Sequence, residues 1–322
     1  MLSPKKTVIT FLAFLLMTSV VALALTAFYP LNKNLVNWTT PEIPADIDAY
    51  LQKSEEPLHP KLGTEKAILW ATPEKKKTAI AFVYIHGFSA TRHEISPVME
   101  DLSAKFHANI FFTRLQGHGL GVKDFDQASA VHWIADANEA LAIGKRLGDK
   151  VVLVGTSTGV PLILHLLNHE DPALTGAVFI SANFRPHRLE SVLSGGLLGP
   201  FVTRLALGEK GYSWKPKNPE QEYYWTTTYP PGAIHQLMEL LKYANSIDLS
   251  RIRIPSLWIY THNDKVVNTD LIQEKFQEIG SVHKKIVDTG ARSHVLAGAI
   301  TNPSETGKAE DLIQEFLTEN VK

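Results

Sequence analysis

The sequence predicts an α/β chain built on a mostly parallel sheet, with helices on both faces and one inserted segment. Three observations carry that reading. Short apolar runs rich in β-branched and aromatic residues recur along the chain. Stretches with helical spacing separate them. Strands buried on both faces read as continuous apolar runs, and their alternation with helices points to parallel pairing. The bulk numbers agree with a sizeable core: 322 residues, 44% hydrophobic and 20% charged. The third observation is a long stretch, from Asn183 to about Ser250, where the alternation stops.

The N-terminus stands apart. Lys5 and Lys6 precede an apolar run from Thr7 to Asn32, and the next charge is Lys33. A run of about 20 apolar residues can cross a bilayer as a helix, and lysines on its N-terminal side keep that end in the cytoplasm. Residues 1–30 are therefore expected to be a signal anchor, with the following domain on the non-cytoplasmic side. The alternative is a cleaved signal peptide and an exported protein, since Ala22–Ala24 and Leu25–Ala27 offer small-residue cleavage patterns. Residues 31–65, with several prolines and scattered charge, read as a linker.

Seven strand-like runs follow. They are "KAILWAT" around Leu69, "AIAFVYI" ending at Ile85, "ANIFFT" ending at Thr113 and "VVLVG" ending at Gly155. The last three are "AVFIS" ending at Ser181, "PSLWIYT" ending at Thr261 and "KKIVD" ending at Asp288. Helices are expected over 93–106, 130–148, 159–169, 270–280 and 309–321. Residues 66–182 and 251–322 then form two parts of one core. Residues 183–250, rich in Gly, Pro and aromatics, are too long for a structureless loop. They read as a cap, partly helical near "AIHQLMELLKYA".

Composition excludes several function classes. There is no cysteine, hence no disulfide, thiolate metal site or cysteine nucleophile. Net charge is −1 and no basic patch appears, so a nucleic-acid partner is not expected. His93 and Glu94 adjoin, but H-E-x-x-H is absent, so no metal is expected and "RHEIS" reads as the opening of a surface helix.

The chemistry centres on "GTSTG", Gly155–Gly159, which fits G-x-S-x-G between a strand and a helix. A sharp turn there strains the serine backbone and lifts its hydroxyl above the sheet. Ser157 is the candidate nucleophile, and a serine hydroxyl needs a base. Of thirteen histidines, His294 lies after the last strand and before the final helix, at the sheet edge where open α/β sheets gather their sites. Asp264 follows the sixth run and is the candidate carboxylate. Asp270 is the weaker choice, because an acid at the opening of a helix already suits its dipole. The backbone N–H groups of Thr158 and Phe88 are the candidate oxyanion donors. His86 reads as a turn-stabilising residue.

Together "HGFSATRHE", "TRLQGHG", "GTSTG", "NDKVV" and "SHVLAG" resemble the α/β-hydrolase fold. Within it they resemble the esterase, monoacylglycerol-lipase and serine-aminopeptidase-like group, over residues from about Ala67 to the C-terminus. The resemblance implies hydrolysis through an acyl-enzyme without a cofactor, and a cap inserted after the sixth core strand. A carboxylic ester is the expected small-molecule substrate. Amidase, peptidase or acyltransferase action would use the same residues. A non-catalytic binding protein on this fold remains the rival from another class, but it would not need all three residues of the set. Trp214, Tyr223, Tyr224, Trp225 and Tyr229 are expected either to line the site or to form the small core of the cap.

Overall fold

The computed structural model describes residues 30–36, 39–187, 195–196 and 198–321, together with Met17. Apart from Met17 and Pro30, the expected membrane segment lies outside the described residues. Among those described, no helix is long and apolar enough to cross a membrane.

All seven apolar runs form strands of one sheet. They are β1 (Ala67–Leu69), β2 (Thr78–Ile85), β3 (Asn109–Phe112), β4 (Gly148–Thr156), β5 (Leu174–Ile180), β8 (Ser256–Tyr260) and β9 (Lys284–Asp288). A small hairpin, β6 (Tyr212–Ser213) with β7 (Thr228–Tyr229), lies between β5 and β8 in the chain. The sheet order is β1-β3-β2-β4-β5-β8-β9. Every pairing is parallel except β1 with β3.

Side-chain alternation divides the core cleanly. Ala81, Val83, Ile85, Val151 and Leu153 point to one face, beneath helices Ala130–Leu147, Gly159–Leu167 and Pro231–Asn245. Phe82, Tyr84, Val152, Val154 and Val178 point to the other, against helices Val98–Phe106 and Pro303–Asn320. Successive strand residues face opposite ways, so covering both faces demands an unbroken apolar run.

The structure alters four expectations. Residues 93–106 are not all helical: Arg92–Glu94 is a 3-10 turn and the helix starts at Val98. The last helix begins earlier than expected, at Pro303. Within 31–65, residues Ile47–Glu55 form a helix capped by the Asp46 carboxylate, which accepts the Ala49 N–H at 2.9 Å. Its Glu55 ion-pairs with the buried Arg114 through two contacts of 2.6 and 2.8 Å. Nearer the N-terminus, Leu35 is fully buried. The segment is therefore joined to the core over much of its length.

The fourth concerns the insertion. It follows the fifth strand of this sheet, not the sixth. Parallel neighbours β5 and β8 need a crossover, and helix Pro231–Asn245 supplies it. Its Leu237, Leu240, Leu241 and Tyr243 are buried in the main core cluster. The segment before it, which includes helices Gly199–Leu207 and Pro219–Tyr224 and the β6–β7 hairpin, packs against the loops that follow β2 and β9.

Candidate active site

β4 ends at Thr156, and the chain turns abruptly. Ser157 has φ +53°, a left-handed conformation that costs a non-glycine residue energy. Backbone bonds on both sides hold it there. Its N–H donates to the Ile180 carbonyl at 2.8 Å, and its carbonyl accepts the N–H groups of Val160 at 3.1 Å and Asn183 at 3.2 Å. Gly159 is required by close approach: a Cβ there would stand 2.1 Å from the Ile85 carbonyl oxygen. Ser157 is 5% exposed, so the turn sits beneath covering chain rather than open to solvent.

His294 lies in the loop after β9. Its Nδ1 is 2.7 Å from Asp264 Oδ2, and its Nε2 is 3.0 Å from Ser157 Oγ. A carboxylate partner fixes the proton on Nδ1, which leaves Nε2 as the acceptor for the serine hydroxyl. The Ser181 hydroxyl donates to the His294 carbonyl at 2.6 Å and pins the loop to the end of β5.

Asp264 is 3% exposed. Burial would raise its carboxyl, but the charge and hydrogen bond of His294 and the N–H groups of Val266 and Val267 outweigh that and hold it below the usual carboxylate range. Asp270 lies elsewhere, exposed in the first turn of helix Thr269–Glu278.

Facing Ser157 is the loop after β2. The Leu115 N–H donates to His86 Nε2 at 3.1 Å, so the proton sits on Nδ1, which donates to the Gly87 carbonyl at 2.9 Å. Burial drives the His86 ring down to about 4, outweighing that carbonyl bond, and the charge of Arg114 lowers it further. A peptide's C=O and N–H point opposite ways, so anchoring the Gly87 carbonyl turns the Phe88 N–H away from it. Among the described residues, neither the Phe88 nor the Thr158 N–H donates to a protein acceptor. His86 thus stabilises the turn, as its sequence context suggests.

Aromatic rings build a wall beside this loop. The Phe88 ring packs against Phe125 at 4.8 Å and Tyr229 at 5.0 Å between centroids. The Ser89 hydroxyl donates to the Tyr229 hydroxyl at 3.0 Å, and the Thr226 N–H to the Ser89 carbonyl at 2.8 Å. The five aromatics expected to line the site or to form the core of the cap therefore divide. Tyr229 reaches the Phe88 loop, with Trp214 packed edge-on to it, and Trp225 is buried. Tyr224 stacks on His93 at 3.9 Å, and the Tyr223 carbonyl accepts Lys61 Nζ at 2.8 Å. Tyr223 thus reaches the segment before β1, and Tyr224 the 3-10 turn after β2.

Two features escaped the sequence reading. Glu94 does not open a surface helix: it is 2% exposed, beneath the Phe88 loop. A charged residue beside Arg92 and His93 gives no sequence signal of burial. The contact of Ser89 with Tyr229 spans 140 positions and was equally invisible.

Comparison with known proteins gives a consistent picture. No curated protein matches the chain significantly in sequence. A structure reported for LipS and LipT, two metagenome-derived lipolytic enzymes, covers 80% of this chain and 98% of its own, at 19% identity and a TM-score of 0.66. Monoacylglycerol lipase of Paleococcus ferrophilus covers 79% and 98%, at 15% identity and a TM-score of 0.59. A soluble variant of the Saccharomyces cerevisiae monoglyceride lipase, bound to a substrate analogue, covers 91% and 99%, at 12% identity and a TM-score of 0.63. At these identities the likeness is one of fold. The family model described as serine aminopeptidase, S33, matches residues 76–297, well over half of the chain and the span from before β2 to past His294. On that match the chain belongs to the serine aminopeptidase S33 family of α/β-hydrolases.

Proposed function

We propose that the protein is a serine hydrolase that cleaves carboxylic esters through an acyl-enzyme. The observation that supports this most is the placing of one imidazole between the Ser157 hydroxyl and the Asp264 carboxylate. In this reading Ser157 Oγ attacks the acyl carbonyl while His294 Nε2 takes its proton. Asp264 stabilises the imidazolium, and the Phe88 and Thr158 N–H groups receive the oxyanion. The imidazolium then protonates the departing alcohol. Water, deprotonated by His294, releases the acid and restores the serine.

The wall of Phe88 and Tyr229, backed by the buried Phe125, favours uncharged, apolar acyl or alcohol groups of short to medium length. Peptidase or amidase action is the second reading, and the family description is what favours it. Acyl transfer would differ only in the alcohol that resolves the acyl-enzyme. The deciding experiment presents the protein with p-nitrophenyl esters of graded length and with aminoacyl anilides. Turnover of esters alone supports the first reading, and turnover of anilides at comparable kcat/KM replaces it with the second.

Residues 1–30 are proposed to anchor the domain to a membrane with its catalytic part on the non-cytoplasmic side. Retention in membranes after a carbonate wash would support this. A soluble product beginning near Leu25 or Phe28 would replace it with export after cleavage.

A further inference from the structure

Glu94 is a buried carboxyl that the mechanism above does not use. Its Oε1 accepts the Gly87 N–H at 2.6 Å and the Tyr84 hydroxyl at 2.8 Å. The Tyr84 hydroxyl is also 2.9 Å from Thr156 Oγ1, on the residue before Ser157. The backbone of Glu94 meets the loop that bears His294: a Cβ on Gly298, at φ +107°, would stand 2.2 Å from the Glu94 carbonyl oxygen. Two residues on, the Ser96 carbonyl accepts the Ala299 N–H at 2.8 Å. One residue thus touches the Phe88 loop, the nucleophile strand through Tyr84, and the histidine loop.

Such a group is costly to bury, and burial alone would favour an apolar side chain here. Burial pushes its carboxyl up to about 7, against the opposing pull of the Gly87 N–H, the Tyr84 hydroxyl and the charge of His294. What the carboxyl contributes in return is an acceptor for the Gly87 N–H. The Gly87 carbonyl is already held by His86 Nδ1. With both polar groups of Gly87 anchored, the peptide that carries the Phe88 N–H has one orientation.

We propose that Glu94 is a positioning residue for the oxyanion site: by holding the Gly87 N–H it aims the Phe88 N–H and keeps it in register with Ser157 and His294. The proposal deepens the serine-hydrolase reading and rests on it. Glu94 does not touch substrate in this scheme.

The test compares the full chain with Glu94→Met, Glu94→Ala and Glu94→Gln on one p-nitrophenyl ester, with an alkyl boronic acid as tetrahedral analogue. Methionine keeps the length and removes the acceptor. Its kcat is expected to fall about 100-fold, as when one oxyanion donor is lost, with KM little changed and boronic acid affinity reduced in parallel. Glutamine offers its amide oxygen to the same N–H and is expected to recover most of the loss. Parallel loss of kcat and analogue affinity, with rescue by glutamine, is what a packing role would not produce. A folded Glu94→Met with wild-type kcat overturns the proposal, as does a kcat loss that leaves boronic acid affinity untouched. Should methionine prevent folding, Glu94→Ala is judged by the same two criteria. Wild type that neither cleaves the ester nor reacts at Ser157 with a fluorophosphonate overturns the underlying reading as well, so the two failures differ.

Discussion

The sheet edge around Ser157 and the segment that covers it are built by different means. Ser157 is fixed by its own backbone, with three main-chain hydrogen bonds and a neighbouring glycine that admits no side chain. The covering segment is tied down by scattered contacts: Thr226 to Ser89, Tyr229 to Ser89, Lys61 to Tyr223, and Asn218 Nδ2 to the Ile300 carbonyl at 2.8 Å. The first kind of fixing tolerates almost no change. The second can lose a member and persist. In the proposed reading bond-making falls to the rigid region and substrate choice to the adaptable one, and variants should separate the two.

The largest effect is expected in the rigid region. Ser157→Ala should lower kcat by about 10⁶, as removal of a nucleophile does in a comparable triad. The fold should persist, because only a hydroxyl is lost. A fluorophosphonate should label wild type and miss the variant, and labelling of the variant at another serine would move the nucleophile elsewhere. Asp264→Asn comes next, with a loss of about 10⁴ expected from the equivalent change in serine proteases. Asp270→Asn, on an exposed helix turn, should keep near-normal turnover. The reverse ranking would break the assignment.

Stability against pH probes the rigid region without catalysis. Burial lowers His86 to about 4 and His165 to about 3, so the folded chain binds fewer protons than the unfolded one below the usual histidine pKa of about 6.5. Those groups remove stability as pH falls from there. Glu94, raised to about 7, and Asp136, raised to about 6, act the opposite way: the fold binds their protons more readily, so their contribution to stability falls as pH rises through those values. Glu94→Gln should therefore gain stability relative to wild type on going from pH 5 to pH 8, on the order of 3 kcal/mol for a full shift of this size. Urea unfolding at the two pH values measures it, and an unchanged difference would show that Glu94 titrates normally.

The smallest effects belong to the cover. Each added methylene buried against Phe88 and Tyr229 should contribute about 0.8 kcal/mol, roughly fourfold in kcat/KM, until the space is full. A rise and then a fall across straight-chain esters would agree. A flat profile, or preference for charged esters, would remove the cover's role in selection.

How much of this was legible follows the same division. The seven strands could be read because burial on both faces forces continuous apolar runs. "GTSTG" could be read because the turn after β4 needs small residues at fixed places. The antiparallel direction of β1 could not, since side-chain pattern encodes burial but not strand direction. The helix Ile47–Glu55 was missed because only Ile47, Leu51 and Glu55 of its nine residues are buried. The crossover helix Pro231–Asn245 is legible as a helix but not as part of the core, because periodicity shows which face is apolar without naming what covers it. Glu94 needed the folded chain, for its partners lie both on β2 with the loop that follows it and on the distant loop that bears His294.

Tyr229 is followed directly by Pro230 and Pro231, where the crossover helix begins. The wall it forms with Phe88 is therefore continuous with a helix buried in the main core. Substitutions that reshape this side of the site will also strain the packing beneath it. Selection for a new substrate is then channelled to those parts of the covering segment that are not joined to this helix, so relatives with different preferences should diverge there first and leave this wall nearly unaltered.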